Sequence, residues 1–286
     1  MTAQQSAHAP EFTPQWLALR EEADAAARSV ELLGPLRAHL AARPPAGPLV
    51  IRDLGCGTGS MGRWLAGRLP GPQHWILHDR DPRLLARAAA SVTGPAADGG
   101  EVTVQTDLGD ITRLDPDLLA GTSLVTASAL LDLLTAAEVD ALAASCAAAG
   151  CPALLTISVT GRVELDPPGE LDAELGAAFN DHQRRKAGGR RLLGPDAVPA
   201  AAAAFTARGA QVLVRPSPWR LAADQGALIG QWLRGWVGAA CEQRPELLPR
   251  ARGYLERRLA ECAAGALTVV VHHDDLLALP AAGASR

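Results

Sequence analysis

The chain reads as an α/β protein built on a doubly wound, mostly parallel sheet of seven strands, and three observations carry that reading. Residues 49–81 (LVIRDLGCGTGSMGRWLAGRLPGPQHWILHDRD) join two short apolar runs, Leu49-Val50-Ile51 and Trp75-Ile76-Leu77, through a glycine-rich turn and a helix-like pattern. That order is the signature of a βαβ unit. Strand-like and helix-like segments then keep alternating across short turns as far as Val159, which is how parallel strands are connected. Finally, each apolar run of the opening unit is closed by a carboxylate, Asp53 and Asp79. The second of these sits where an adenosine ribose offers its two hydroxyls.

The glycine turn points to a nucleoside cofactor, and its neighbours choose between two. Gly57, Gly59 and Gly62 spell G-x-G-x-x-G with Asp79 downstream, so the nicotinamide dinucleotide fingerprint is formally present. Asp53, just ahead of the turn, would place a negative charge beside a pyrophosphate and spoil the helix N-terminus as an anion site. A cationic ligand gains from the same charge. S-adenosylmethionine carries a sulfonium and an ammonium and no phosphate. Asp53-Leu54-Gly55-Cys56-Gly57-Thr58-Gly59 resembles the D-x-G-x-G-x-G motif of class I S-adenosylmethionine-dependent methyltransferases. The resemblance implies the seven-stranded fold of that family, methyl-transfer activity, and a cofactor site formed by Asp53, Gly55, Cys56, Gly57, Gly59, Asp79 and Arg80. It adds Asp107 and Leu108 at the adenine and Ser128 beneath the methionine part.

Length and composition agree with a single such domain. The 286 residues fit one large α/β domain with insertions. Net charge is −4, and the basic clusters stop at Arg184-Arg185-Lys186 and Arg190-Arg191. A duplex-binding enzyme shows a broader basic face, so nucleic acid is disfavoured as substrate. The five cysteines lack CxxC spacing and companion histidines, as reduced thiols of a cytoplasmic protein do. MTAQQSAHAPEF has no charged start followed by an apolar core. No apolar run approaches the roughly eighteen residues that cross a bilayer. A cytoplasmic protein without a membrane partner is expected.

Taken in order, residues 1–12 are expected to be disordered and residues 13–45 to form a helical cap. Thr13 is its N-cap, Pro14 lies in the first turn, and Arg43-Pro44-Pro45 ends it. The methyltransferase domain then spans 46–286. After the opening unit, Asp81-Pro82 starts a helix to about Val92, 93–100 is loop, and Val102–Thr106 is a strand ending at Asp107. A fourth strand covers Thr122–Ala127, a helix Thr135–Ala149 ends at Gly150, and Cys151–Val159 is the fifth strand. Asp132, after the fourth strand, is a candidate to orient a substrate or, equally, a helix N-terminal acid.

Insertions are expected at about 160–194 and 217–264. The first lies beyond the carboxyl end of the fifth strand, where loops contact ligands. In it, His182 titrates near neutrality and is the candidate general base. Asn180 and Arg184 share a face at i, i+4 and are candidate substrate contacts; a solvated helix face is the competing reading. Residues 197–208 form a helix and Gln211–Arg215 the sixth strand. Trp219 is either a core anchor or a wall against substrate. Leu228, Ile229, Trp232, Leu233, Trp236 and Val237 make a buried helical stripe, although the two tryptophans also suit a homodimer interface. A further helix, 245–263, precedes the seventh strand, Leu267–His272, closed by His272-His273-Asp274-Asp275. The adjacent histidines point to opposite faces, so a shared metal is not expected.

The sequence thus points to methyl transfer from S-adenosylmethionine to the oxygen or nitrogen of a small-molecule acceptor. Methylation of RNA lacks support from an Asn/Asp-Pro-Pro-Tyr/Phe signature, since Ser128-Ala129-Leu130-Leu131 stands there. An NAD(P)-dependent oxidoreductase lacks a Tyr-x-x-x-Lys pair, because Tyr254 and Lys186 are the only residues of their kinds. A non-catalytic cofactor-binding partner protein is the remaining alternative.

Overall fold

Two helices lead the chain. Helix α1 (Pro14–Ala27) starts as expected, Thr13 accepting a hydrogen bond from the Trp16 amide, and α2 (Leu33–Ala42) buries Leu33, Leu36 and Leu40. Strands and helices then alternate through β1 (Leu49–Leu54), α3 (Ser60–Leu65), β2 (Gln73–Asp79), α4 (Pro82–Ser91) and β3 (Val102–Leu108). They continue through β4 (Leu124–Ser128), α5 (Ala136–Ala149) and β5 (Ala153–Asp166). Next come α6 (Asp172–Gln183), a hairpin of β6 (Lys186–Ala187) and β7 (Arg190–Arg191), then α7 (Ala197–Thr206) and β8 (Gln211–Pro216). The chain closes with β9 (Trp219–Leu221), α8 (Gly226–Gln243), α9 (Leu248–Ala263) and β10 (Thr268–Leu279). The computed structural model describes residues 13–113 and 116–281; the disorder expected of residues 1–12 falls outside them.

The strands form one sheet in the order β3-β2-β1-β4-β5-β10-β8, with β9 also paired to β10. The first five are mutually parallel, while β10 runs antiparallel to β5, β8 and β9. This is the doubly wound, mostly parallel sheet that the sequence predicts, with β9 added to its seven strands. A nicotinamide-binding sheet of order 3-2-1-4-5-6 continues in parallel at the sixth place; here the antiparallel β10 occupies it. One face is packed by Ile51, Trp75 and Leu77 with Leu36 of α2 and Leu65 of α3. The other is packed by Leu54 and Val125 with Leu142 of α5 and Phe205 of α7. A third cluster gathers Trp219, Trp232, Trp236 and Tyr254 with α6, α8 and α9. Trp232 and Trp236 stack within it at 5.2 Å, so they belong to the core rather than to an interface surface.

Two elements outrun their expected ends. Residues 160–166, placed in the first insertion, continue β5, and β10 runs past His272–Asp275 to Leu279. The two long strands pair with each other, which satisfies backbone groups that a loop would leave to water. The polar residues inside β10 serve a β-bulge. Ile157 has φ 54°, a left-handed value costly for a β-branched residue. The fully buried Asp275 carboxylate accepts from the Ile157 amide at 2.7 Å and from the Ser29 amide at 2.8 Å. His272 turns outward to Glu164 (2.9 Å), and His273 inward against the Trp219 ring (5.1 Å between centroids). Among the described residues no helix is long and apolar enough to cross a membrane, and no three His, Cys, Asp or Glu side chains are grouped to hold a metal.

Candidate functional site

The glycine turn is the first thing the sheet positions. Gly57 and Gly59 have φ 55° and 86°, values glycine adopts without strain. A Cβ on Gly59 would stand 2.8 Å from Val92 Cγ2 and 3.2 Å from Ala88 Cα, so α4 can pack directly against the turn. The turn is tied to β2 on its far side. The Cys56 amide donates to the His78 carbonyl (3.0 Å) and the Gly57 amide to Asp79 Oδ2 (2.9 Å). The second Asp79 oxygen accepts from the Asp81 amide at 3.0 Å. Cys56 is buried, and burial, then Asp53 and Asp79, push its thiol well above the ordinary range; it fills space and is no nucleophile.

A cavity of about 670 Å³ opens over this turn, within the range of small-molecule sites. Asp53, Gly55, Cys56, Gly57, Asp79, Arg80 and Ser128 line it. Gly59 sits one step behind as the residue preceding α3. Asp53 is 1% exposed. Its Oδ1 accepts from the Thr126 hydroxyl at 2.7 Å, while Oδ2 is buried without a hydrogen-bond partner among the described residues. Burial pushes this carboxyl up to about 7, against the Thr126 hydrogen bond and the Arg28 charge that pull it down. Arg28, 2% exposed, lies behind the wall and donates to the Ser60 and Ser128 hydroxyls, both at 3.1 Å.

Several expected contacts are absent from this cavity. Asp107 lies off its wall: in β3 it shares the Arg52 face of the sheet and pairs with that guanidinium at 2.7 Å. Leu108 is 62% exposed and also lies off the wall. Because β3 runs on through Leu108, the wall is completed by the next residues, Gly109 to Thr112, with Asp110 accepting from the Thr112 amide and hydroxyl. His182, the candidate base, is held between Glu242 (3.1 Å) and Arg185 (3.3 Å) and does not reach the cavity. Burial, then Arg185, lowers its pKa. Asn180 donates to the Gly161 carbonyl at 2.8 Å, and Arg184 forks onto Asp196 at 2.6 and 2.8 Å. Both brace α6 outside the cavity. Trp219 is a core anchor, 3% exposed, donating its indole N–H to Asp24 at 2.9 Å. Asp132 is half-buried behind the wall formed by Leu130, Leu133 and Leu134, and burial raises its carboxyl to about 6.

Other residues take the missing places. Helix α1 contributes Leu17, Arg20 and Asp24. It is docked over the turn by an Arg63–Glu21 fork of 2.7 and 2.6 Å, and a Cβ on Gly57 would meet Leu17 at 3.2 Å. The β6–β7 hairpin contributes Ala187 and Arg190, followed by Leu192. Arg190 forks onto Glu138 (2.8 and 2.6 Å) and donates to the Leu133 carbonyl (3.1 Å), pinning the hairpin over the cavity. Signals for both were present. Arg20 and Asp24 are an i, i+4 pair, and Gly188-Gly189 is a two-residue hairpin signature; both have positive φ.

No family model matches the sequence, and no curated protein does. Solved structures do resemble it in shape. The cyclopropane synthase MmaA2 of Mycobacterium tuberculosis aligns over 96% of each chain at 13% identity, with a TM-score of 0.48. A methyltransferase of Geobacter sulfurreducens, determined with S-adenosylhomocysteine, aligns over 94% of this chain and 99% of its own at 18% identity and a TM-score of 0.42. Phosphoethanolamine N-methyltransferase 2 of Haemonchus contortus covers 95% of this chain and 59% of its own, at 14% identity and a TM-score of 0.44. Strand order, the antiparallel sixth strand, and the acids at the ends of β1 and β2 are this chain's own features. By them, the chain has the class I methyltransferase fold.

Proposed function

We propose that the protein transfers a methyl group from S-adenosylmethionine to a small-molecule acceptor held in the same cavity. The observation that carries this reading is Asp53 Oδ2, a buried carboxylate oxygen in a ligand cavity with no donor from the protein among the described residues. Such an oxygen is costly unless a cation meets it, and the ammonium of the cofactor is one. A pyrophosphate there would be repelled.

When bound, the cofactor supplies an electrophilic methyl on sulfur; the residues supply place and dryness. Asp79, already fixed by two backbone N–H groups, keeps lone pairs for the ribose hydroxyls. Leu17, Leu130, Leu133, Leu134 and Leu192 give the acceptor side an apolar wall. In an in-line displacement the protein's main part is alignment of the two reactants. Among the described residues lining the cavity His78 is the only histidine, and it stands beside Gly109 at the end of β2. An acceptor that needs desolvation rather than a base, such as an amine or an ionised oxygen, suits this wall.

Calorimetric titration tests the reading. S-adenosylmethionine and S-adenosylhomocysteine should bind, Asp79→Ala should weaken both at least tenfold, and NADH should give no heat. Binding of NADH without either adenosyl ligand overturns it.

A further inference from the structure

Arg20 is built into the cavity wall with more support than a helix ion pair requires. Its Nε and Nη2 fork onto Asp24 at 2.9 and 3.0 Å. Asp24 is 4% exposed and is fixed from the other side by the Trp219 indole N–H. The guanidinium carbon lies 4.9 Å above the Trp219 ring and 5.9 Å from that of Trp16, and the side chain is only 12% exposed. Stability does not explain the arrangement, because burying an ion pair costs desolvation that an exposed pair escapes. The fork leaves Nη1, with two N–H donors, unused by any hydrogen bond among the described residues. Asp132 lies within reach of the Arg20 charge, but no hydrogen bond joins them. Arg28 and His273 also feel that charge. A guanidinium locked in orientation with one edge unused is prepared for a partner, and a carboxylate is the acceptor chemistry it matches best.

We propose that Arg20 anchors the carboxylate of the methyl acceptor, which is therefore an acid with an apolar body lying against Leu17, Leu133, Leu134 and Leu192. The proposal rests on the methyl-transfer reading and narrows its substrate class. The cofactor's own methionyl carboxylate is the other source of the same chemistry, and the test separates the two.

The wild type, Arg20→Lys and the double variant Arg20→Gln/Asp24→Asn are compared; the double variant removes both members of the buried Arg20–Asp24 pair together, and Asp53 and Asp275 remain as charges near Arg28. Each is titrated with S-adenosylhomocysteine and with 5′-deoxy-5′-methylthioadenosine, which lacks the amino-acid end. Each is then screened, saturated with S-adenosylhomocysteine, against straight-chain and aryl carboxylic acids and their matched primary amides. The expected result is that wild type prefers acids to amides at least tenfold. Both variants should lose that preference while binding both nucleosides as before. Equal response to acids and amides, including none to either, overturns the proposal. Selective loss of S-adenosylhomocysteine in the variants, with methylthioadenosine spared, also overturns it and assigns Arg20 to the cofactor. Failure of the wild type to bind either nucleoside would instead sink the methyl-transfer reading.

Discussion

At Asp53, one carboxyl sets stability and binding against each other. Its pKa is raised from 3.8 to about 7, so the folded chain holds this proton more tightly than the unfolded chain does. The Asp53 contribution to stability is therefore full below about pH 4 and is lost as pH rises through 7. At about 1.4 kcal/mol per unit, the loss is bounded by roughly 4 kcal/mol. Binding runs the other way, because only the ionised carboxylate pairs with an ammonium. Affinity for S-adenosylhomocysteine should fall about tenfold for each unit below pH 7, and calorimetry at pH 6 and pH 8 reads it. Asp53→Asn should flatten that profile and bind weakly throughout. His182→Ala makes the contrasting prediction. It removes a brace between α6 and α8 rather than a base, so affinity for S-adenosylhomocysteine should stay within about twofold and stability should drop by about 1 kcal/mol or less. The place of Asp53 and Asp79 on the cavity wall was legible in the sequence because strand direction alone carries a terminal acid to that edge of the sheet. Asp107 and His182 were misplaced because the face a side chain takes depends on register and on partners, Arg52 and Glu242, supplied from far along the chain.

Turns and bulges are where the elements are exacting. Gly59 combines φ 86° with an approach that leaves 2.8 Å to Val92. Gly59→Ala should lower stability by roughly 2–3 kcal/mol in chemical denaturation. Part should return in Gly59→Ala/Val92→Ala, since the two share one contact. The strain of the left-handed φ should remain. Asp275→Ala would leave the buried Ile157 amide and the part-buried Ser29 amide without their acceptor. At about 1–3 kcal/mol for each unsatisfied group, the β5–β10 bulge and the segment after α1 should loosen together, and Asp275→Asn should recover much of the loss. The βαβ unit and the N-cap of α1 were readable because their signals are local. The true lengths of β5 and β10 were not. Their polar centre, His272 to Asp275, looks like a strand end until Ile157 and Ser29 are seen to need its carboxylate.

Across the whole molecule, α1 couples the cavity to the third core cluster. One face carries Leu17, Arg20 and Asp24 into the cavity wall, while Trp16 and Leu19 pack on the cluster around Trp219. The hairpin is attached differently, through Arg190 to Glu138 and the Leu133 carbonyl, with Arg190 and Glu138 partly exposed to water. A ligand filling the cavity therefore touches one well-buried element and one element held mainly by charge. Ligand that binds only the folded state stabilises it by about 2.7 kcal/mol at a hundredfold excess over Kd, but that gain need not be spread evenly. The hairpin, anchored by surface-type contacts, should open most readily without ligand and gain most from it. Residues 186–192 should therefore show the largest slowing of amide hydrogen exchange on adding S-adenosylhomocysteine, residues 13–27 a smaller one, and α8 and α9 almost none. The same experiment on Arg190→Ala should find the hairpin unprotected even with ligand bound, while α1 still responds. If α8 and α9 slow as much as the hairpin, the cavity and the third cluster open as one unit, and α1 is a rigid strut between them.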